Sequence, residues 1–523
     1  MKIKVSNINI LANSTENLED AVCKRLGIKA AEIKDFKILH AAIDARKKSA
    51  VFRNYQVLLE LKEETRRLLE KSGVALYEPP APIEYHEWKH GKRPVVVGFG
   101  PAGMFAALYL ARCNAKPIVI ERGSQIETRK QDVKNFLEKR ELDENSNIQF
   151  GEGGAGAFSD GKLTTNNNSD LIHFVLEEFY KHGATEDVLY EANPHVGTDY
   201  LEKVVRGIRE EIKSLGGEIH FNTTFTDFKT EGEVVRITCN NGLEFETEHL
   251  LLGLGHSARD TIRQLYKRGV PMEAKPFAMG VRIEHLQKKV NEAQYGTFAK
   301  WLPAATYKGA VHMKERSAYT FCMCPGGEVM ASASEKESIV TNGMSTKARN
   351  KENSNAALLV NVNPEDYYNG SPLDGLEYQA KYEKAAFAVS GDYRAPGNLV
   401  REFLQSKVAK EPRSVKPSYP HGIVFNDFSK CLPNFVVKSL REAIPLFARR
   451  LPFFADGDAV LTGVETRSSS PVRILRGENR ESEVAGLYPI GEGAGYAGGI
   501  TTAAIDGIKT AMRIVERSSS RQE

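Results

Sequence analysis

"RPVVVGFGPAGM", residues Arg93 to Met104, decides how the rest of the chain is read. A run of three valines stops at Gly98-Phe99-Gly100-Pro101-Ala102-Gly103, and the helix-forming "MFAALYLARCN" follows at once. This is the pattern of strand, tight turn and helix. Gly98 permits the turn, Gly100 lets the backbone approach a pyrophosphate, and Gly103 lets the helix lie close to the strand. The helix N-terminus adds free amides and a positive dipole end. A second strand, "PIVIERG", ends at Glu121, where a carboxylate accepts hydrogen bonds from a ribose 2′-hydroxyl and repels a 2′-phosphate. A glycine-rich turn of some other α/β protein is the ordinary alternative, and the flanking strand, helix and acidic residue argue against it.

Two further glycine concentrations, Gly151 to Gly161 and Gly491 to Gly499, stand far from the first and share no period with it, which excludes a repeat protein. "LYPIGEGAGYAGGITTAAIDGIKTAMRIVE" reads as a strand ending at Glu492, a glycine loop, and a helix with Ile500, Ala503, Ala504, Gly507, Ile508 and Ala511 at helical spacing. That helix begins at Gly498-Gly499-Ile500 with bare amides. Such an end suits a group that becomes anionic on reduction, as the N1–C2=O edge of a flavin does. The first fingerprint fits FAD and NAD alike; the other two clusters select FAD. A C-terminal packing helix with a flexible entry loop is the alternative.

Composition narrows the class. The 523 residues leave room for several domains, and 41% hydrophobic with 27% charged residues is ordinary for a globular protein. A net charge of +3 against 71 basic and 68 acidic residues provides no whole-molecule attraction to nucleic acid or anionic lipid. No stretch approaches the ~18 apolar residues that cross a bilayer, and "MKIKVSNINILANSTEN" lacks the apolar core of a signal peptide, so a cytoplasmic location is expected. Six cysteines without a C-x-x-C argue against a disulfide scaffold or a dithiol relay. Cys322 and Cys324 form a C-x-C too sparse for a metal site, and no metal is expected.

The expected architecture is an α/β one: a Rossmann-like (ββα) dinucleotide domain built from two chain segments, an inserted α+β substrate domain, and a small N-terminal α/β module for which a ferredoxin-like arrangement is one reading. Residues 1–76 form that module, with helices over Leu18 to Leu26 and Glu63 to Lys71. Residues 77–94 are a proline-rich linker, 95–270 the first part of the dinucleotide domain, and 271–455 the insertion. Residues 456–517 are the second part, and 518–523 a frayed tail. Gly217 to Gly255 reads as a β-meander with a turn at Asn241-Gly242.

The "ERG" after the fingerprint, "LLLGLGHSARDT" (Leu250 to Thr261) and "IGEGAGYAGGITTAA" resemble the FAD domain of glutathione-reductase-type flavoproteins. "GEGGAGAFSDGKL" (Gly151 to Leu163), "PFAMGVRIEH" (Pro276 to His285), "MCPGGEV", "VTNGMS" and "GVETRSSSPVRI" (Gly463 to Ile474) resemble the uncharacterised bacterial FAD-dependent dehydrogenases that carry a small N-terminal α/β module. The resemblance implies that Gly98, Gly100, Pro101, Ala102 and Gly103 hold the pyrophosphate, with Glu121 on the adenosine ribose and Arg122 nearby. It places Gly153, Gly154, Ser159, Asp160, Gly161 and Lys162 along the flavin side. Gly491 and Glu492 would approach the ribityl chain, and Gly498, Gly499 and Ile500 the ring. Related chains carry A-T-G where this one reads Leu252-Gly253-Leu254-Gly255, so the close passage there rests on Gly253 and Gly255.

The expected function is an FAD-dependent oxidoreductase that transfers hydride between tightly bound flavin and a small organic substrate. NAD(P)H would be at most a transient donor, because a second dinucleotide fingerprint is absent. Candidate catalytic residues are His256, Arg282, His285 and Arg467, since histidine titrates near neutrality and arginine clamps carboxylates. Each has a plain structural alternative, a satisfied turn histidine or an internal ion pair. "DARKKSAVFR" (Asp44 to Arg53), with Lys47 and Lys48, raises a tRNA-modifying flavoenzyme as a rival, against the commoner solvated edge. A non-catalytic FAD-binding electron carrier is the other.

Overall fold

The computed structural model describes residues 1–89, 91–165 and 168–520, and the side chains through residue 518. Its central sheet is five-stranded and wholly parallel, in the order Leu487–Pro489, Leu250–Leu252, Val95–Val97, Ile118–Ile120, Glu218–His220. Strands of three residues suffice because both faces are covered. Val96, Val119, Leu251 and Tyr488 face the helices Pro101–Arg112, Thr198–Ser214 and Ile500–Ser520. Val95, Val97, Ile118, Ile120, Leu250 and Leu252 face a three-stranded antiparallel layer. That layer comprises only Phe225–Glu231, Val234–Cys239 and Glu244–Thr247. The expected meander is thus shorter than Gly217 to Gly255, because its outer runs, Glu218–His220 and Leu250–Leu252, pair into the parallel sheet.

The inserted domain is a seven-stranded sheet in the order Ala310–His312, Ser317–Cys324, Asn353–Val362, Phe277–Leu286, Val460–Glu465, Ala395–Leu399, Ile423–Phe425. The alternation along Phe277–Leu286 sorts its faces. Met279, Val281 and Ile283 join a core with the helix Asn434–Ala448, while Arg282 and Glu284 project from the opposite face. Val460–Glu465 lies in this sheet, so the insertion does not end at residue 455. The chain re-enters the parallel sheet only at Leu487, after Val472–Ile474 has paired antiparallel with Met272–Ala274. That two-stranded ribbon carries the chain both out and back.

The N-terminal sheet has the order Ile33–Asp44, Phe52–Leu61, Lys2–Leu11, Val74–Leu76, antiparallel throughout, which is a ferredoxin-like order. The helix Leu18–Leu26 is capped by the Asn17 side chain and by left-handed Gly27. The second helix expected at Glu63 to Lys71 contracts to a 3-10 turn, Arg66–Glu70. The module is docked. Ala41 exchanges backbone hydrogen bonds with Tyr190 and Ala192, and Arg53 donates to the Trp301 carbonyl at 2.7 Å. The linker lies on the dinucleotide domain, where Tyr109 Oη donates to the Glu84 carbonyl. At the other end the helix runs to Ser520 and Ser518 is buried, so the tail is not frayed from 518; residues 521–523 lie outside the described ones.

Candidate functional site

A cleft of about 890 Å³ runs between the C-terminal ends of the parallel strands and the inserted sheet, near the top of the ~300–1,000 Å³ range of small-molecule sites. One wall is backbone. Gly98 takes a left-handed φ of 93°, and a Cβ there would collide with the Gly253 carbonyl. Strand and turn therefore touch main chain to main chain. Gly100 caps the helix Pro101–Arg112 and faces Gly154, whose Cα would lie 3.6 Å from a Cβ on Gly100. Pro101 and Ala102 complete this wall. Gly255, Gly498 and Gly499 lie along the same cleft with nothing within 4 Å of where a Cβ would stand. The main chain is bare at these three positions.

Three glycines assigned to this wall from sequence stand behind it. Gly103 packs on the Gly98 carbonyl, Gly153 on Ala157 and Val205, and Gly491 on Ala102. They shape the cradle without lining it, because close packing of helix on strand leaves no room for a Cβ.

Glu121 is buried and accepts from the amides of Phe99 (2.8 Å), Gly123 (2.9 Å) and Gly151 (3.0 Å). Its two oxygens thereby tie the first glycine turn to the second. Arg122 pairs with Asp260 and stacks over Phe150 at 4.3 Å. Asp160 accepts from Arg349 and from Ser345 Oγ, and Lys162 donates to the Met323 carbonyl. Burial opposes the charge on Asp160, but Arg349 holds the carboxyl below its ordinary range. Asp160 and Lys162 are thus committed to the inserted domain and join the two walls. Glu492 lines the cleft, and burial pushes its carboxyl up to about 7 against the pull of Lys275.

The four catalytic candidates separate. His256 lines the cleft, with Nδ1 3.0 Å from Ser257 Oγ; burial and the guanidinium groups of Arg467 and Arg259 push it down to about 3, so it is neutral. Arg467 also lines the cleft, but Glu383, fully buried, binds it and Arg259 in one ion triad at 2.7–3.0 Å. Arg282 lies inside the wall, bound by Glu465, Asn342, Asn355 and the Cys322 carbonyl. Its role is to shape that wall. His285 is on the wrong face of its strand, in an aromatic box with Phe453, Phe454 and Tyr307, and burial pushes it down to about 3. It is not a site residue: alternation along Phe277–Leu286 sends His285 into the core and Arg282 toward the cleft.

Sequence reasoning missed most of the second wall, including Lys308, Phe321, Asn342 and Arg349. Cys322 is exposed, but to the cleft rather than to bulk solvent, and burial pushes its thiol up to about 12. A redox or thiolate role gains no support from that. The chain skips register here, with Phe321 opposite Ala357 and Cys324 opposite Asn355, and Cys322 at φ 42°. Nothing in "TFCMC" signals a bulge. The basic run folds as a loop in which Arg46 pairs with Asp44, while Val51 enters the inserted domain's core.

Residues 276–468 match the model of the family described as "FAD-dependent protein, C-terminal domain-like", and residues 2–60 match a domain of unknown function. A Clostridium beijerinckii protein described as uncharacterized is 46% identical over 536 residues, covering 99% of each chain. Among solved structures, the FAD complex of CtdE is 12% identical over 81% of this chain and 87% of its own, with a TM-score of 0.32. Glycine oxidase from Geobacillus kaustophilus is 10% identical over 82% and 95%, with a TM-score of 0.36. These two are too distant to carry a substrate or a mechanism across. Among the described residues no helix is long and apolar enough to cross a membrane.

The cleft fits FAD. It offers a helix N-terminus and Gly100 to a pyrophosphate, the Glu121 carboxylate to a ribose, and an open glycine edge at Gly498 and Gly499, where a side chain would fill the ligand's space.

Proposed function

The chain belongs to one family with the Clostridium beijerinckii protein, its cofactor is FAD, and from that premise we propose that it is an FAD-dependent oxidoreductase acting on a small organic substrate. The observation that carries the reading is the convergence of three distant glycine segments on one cleft whose opposite wall is a polar sheet face from another domain. When bound, FAD supplies hydride acceptance and donation. The chain supplies position and protons. Gly100 and the amides opening Pro101–Arg112 would hold the phosphates, Glu121 would hold the ribose, and the backbone at Gly499 and Ile500 would offer amides to an anionic edge of the bound group.

One carboxyl in the cleft is poised to take up and release a proton near neutrality. Glu492, poised at about 7, holds a proton below neutrality and releases it above. His256, neutral throughout the physiological range, hydrogen-bonds without carrying charge. The substrate lies between the open glycine edge and the inserted sheet, and the Asp160–Arg349 and Lys162–Met323 contacts hold those walls together around it. A soluble cytoplasmic enzyme using NAD(P)H only transiently is the accompanying proposal.

Anaerobic mixing of the FAD-loaded protein with NADH, NADPH and candidate organic donors tests this. Bleaching of the flavin absorbance by any of them is the expected result. A folded protein that is colourless and refuses added FAD overturns it.

A further inference from the structure

We propose that Lys308 and Phe321, at the mouth of the cleft, form a substrate subsite for a small organic carboxylate with a planar or unsaturated body; the inference rests on the flavoenzyme reading above. The strand Ala310–His312 pairs with Ser317–Cys324 in a register that sets Ala310 opposite Tyr319. Hydrogen bonds from Thr320 N to the Gly309 carbonyl and from Gly309 N to Thr320 Oγ1 extend that pairing, so Lys308 comes opposite Phe321. Residues directly opposite in an antiparallel pair share a face. The face is the one toward the cleft. Tyr319, two residues before Phe321 and so on the same face, packs on Ala278, Ala357 and Leu359, whereas Ala318, the residue before Tyr319, enters the opposite core.

Charge identifies what the pair receives. The other cations lining the cleft are committed: Arg122 to Asp260, Arg349 to Asp160, Arg467 to Glu383, and Lys162 to the Met323 carbonyl with Asp160 at 3.9 Å. Lys308 has no ion pair or hydrogen bond among the described residues and is exposed. Glu465, a carboxylate of the same wall, is taken by Arg282. A free ammonium therefore stands beside an aromatic side chain left 39% exposed in a molecule that buries most of its phenylalanines. The bulge that follows at Cys322 turns the strand just past this pair, as bulges do where a side chain is re-aimed beside a site. An anionic head on Lys308 and a flat body on Phe321 leave the remainder of the ligand directed inward, toward Gly498 and Gly499.

The test titrates FAD-loaded protein with benzoate and with its neutral isostere benzamide, and reads the shift in the flavin absorbance spectrum. Benzoate is expected to saturate and to bind at least about tenfold more tightly than benzamide, the difference a charge-assisted contact makes. Lys308→Gln should abolish that ratio and Lys308→Arg should keep it, both with full FAD content, while Phe321→Ala weakens both ligands equally. Equal binding of the two ligands, an unchanged ratio in Lys308→Gln, or no saturable shift with either overturns the subsite. NADPH competing with benzoate only while Lys308 is present would reassign the lysine to a nucleotide phosphate and likewise overturn it. Protein that refuses FAD overturns the flavoenzyme reading itself, whereas FAD-loaded protein blind to benzoate removes the subsite alone.

Discussion

The two walls of the cleft are built on opposite plans. The dinucleotide domain presents main chain: glycines whose missing side chains let strands, turns and helices touch, with Glu121 tying two of the turns together. The inserted domain presents side chains, most of its charged ones pinned by charged or polar neighbours, as in the Arg467–Glu383 contact that reaches Arg259 and in the Arg282–Glu465 pair. A wall of backbone suits the invariant part of a dinucleotide, its phosphates and ribose. A wall of side chains is free to specify the variable part, and it depends on buried charges remaining paired.

The sharpest way to break this contrast is to unpair a charge. Glu383→Gln leaves the buried Arg259 and Arg467 with Glu335 as their only carboxylate, at 2.8 and 4.0 Å, and is expected to destabilise the fold by about 3 kcal/mol, read as a fall in the denaturant midpoint. A loss below about 1 kcal/mol would show the triad to be dispensable. On the backbone wall, Gly98→Ala forces a Cβ against the Gly253 carbonyl at a φ of 93° and is expected to cost about 2–4 kcal/mol, with loss of bound FAD. Gly232→Ala, at a hairpin with a φ of 63° and nothing within 4 Å of a Cβ, serves as the control for the collision and should cost only the about 1–2 kcal/mol of the left-handed backbone, with FAD retained.

Glu121→Gln keeps the shape but halves the acceptor capacity that three amides and the ribose share. FAD affinity should fall about 10–100-fold, the range for a charged hydrogen bond of about 1.5–3 kcal/mol; an unchanged dissociation constant defeats the ribose assignment. Glu492 sharpens the comparison through pH. Burial raises its folded-state pKa from 4.5 to about 7, so the protonated form favours folding. That contribution is complete below about pH 4.5 and lost as pH rises through 7. Glu492→Gln should therefore leave the Tm of the FAD-free protein nearly unchanged at pH 4.5 and raise it at pH 8, by an equivalent of about 1–2 kcal/mol once the opening to the cleft is discounted. A gap that does not widen with pH contradicts the assignment. Least of all, changing Lys47 and Lys48 to Gln on their exposed loop should shift stability by less than about 0.5 kcal/mol. RNA retention lost in that double variant would restore the tRNA reading.

Val95 to Gly103 was legible because every step of it is local: β-branched strand, glycine turn, helix, acidic strand end. The same holds for Gly498 to Ile500. The division at residue 455 failed because Val460–Glu465 looks like any buried strand, and only its partners, Phe277–Leu286 and Ala395–Leu399, show which sheet it completes. His285 misled for a related reason. Period-two alternation in "GVRIEH" separates His285 from Arg282, but which face meets the cleft depends on the helix Asn434–Ala448 packing against the other. Lys308 and Phe321 carry no signal in a linear reading, since a lysine and a phenylalanine 13 positions apart become neighbours only through a strand register.

By itself the sequence determined that a strand, a helix N-terminus and an acidic strand end would make a dinucleotide seat, because those conformations follow from the residues within a few positions of each other. Tertiary structure alone decided where the inserted sheet lies, which of its faces meets that seat, and which arginines are consumed by Glu383 and Glu465. Those outcomes depend on charges and pairings between residues up to two hundred positions apart, whose energies exist only once the chain has closed on itself.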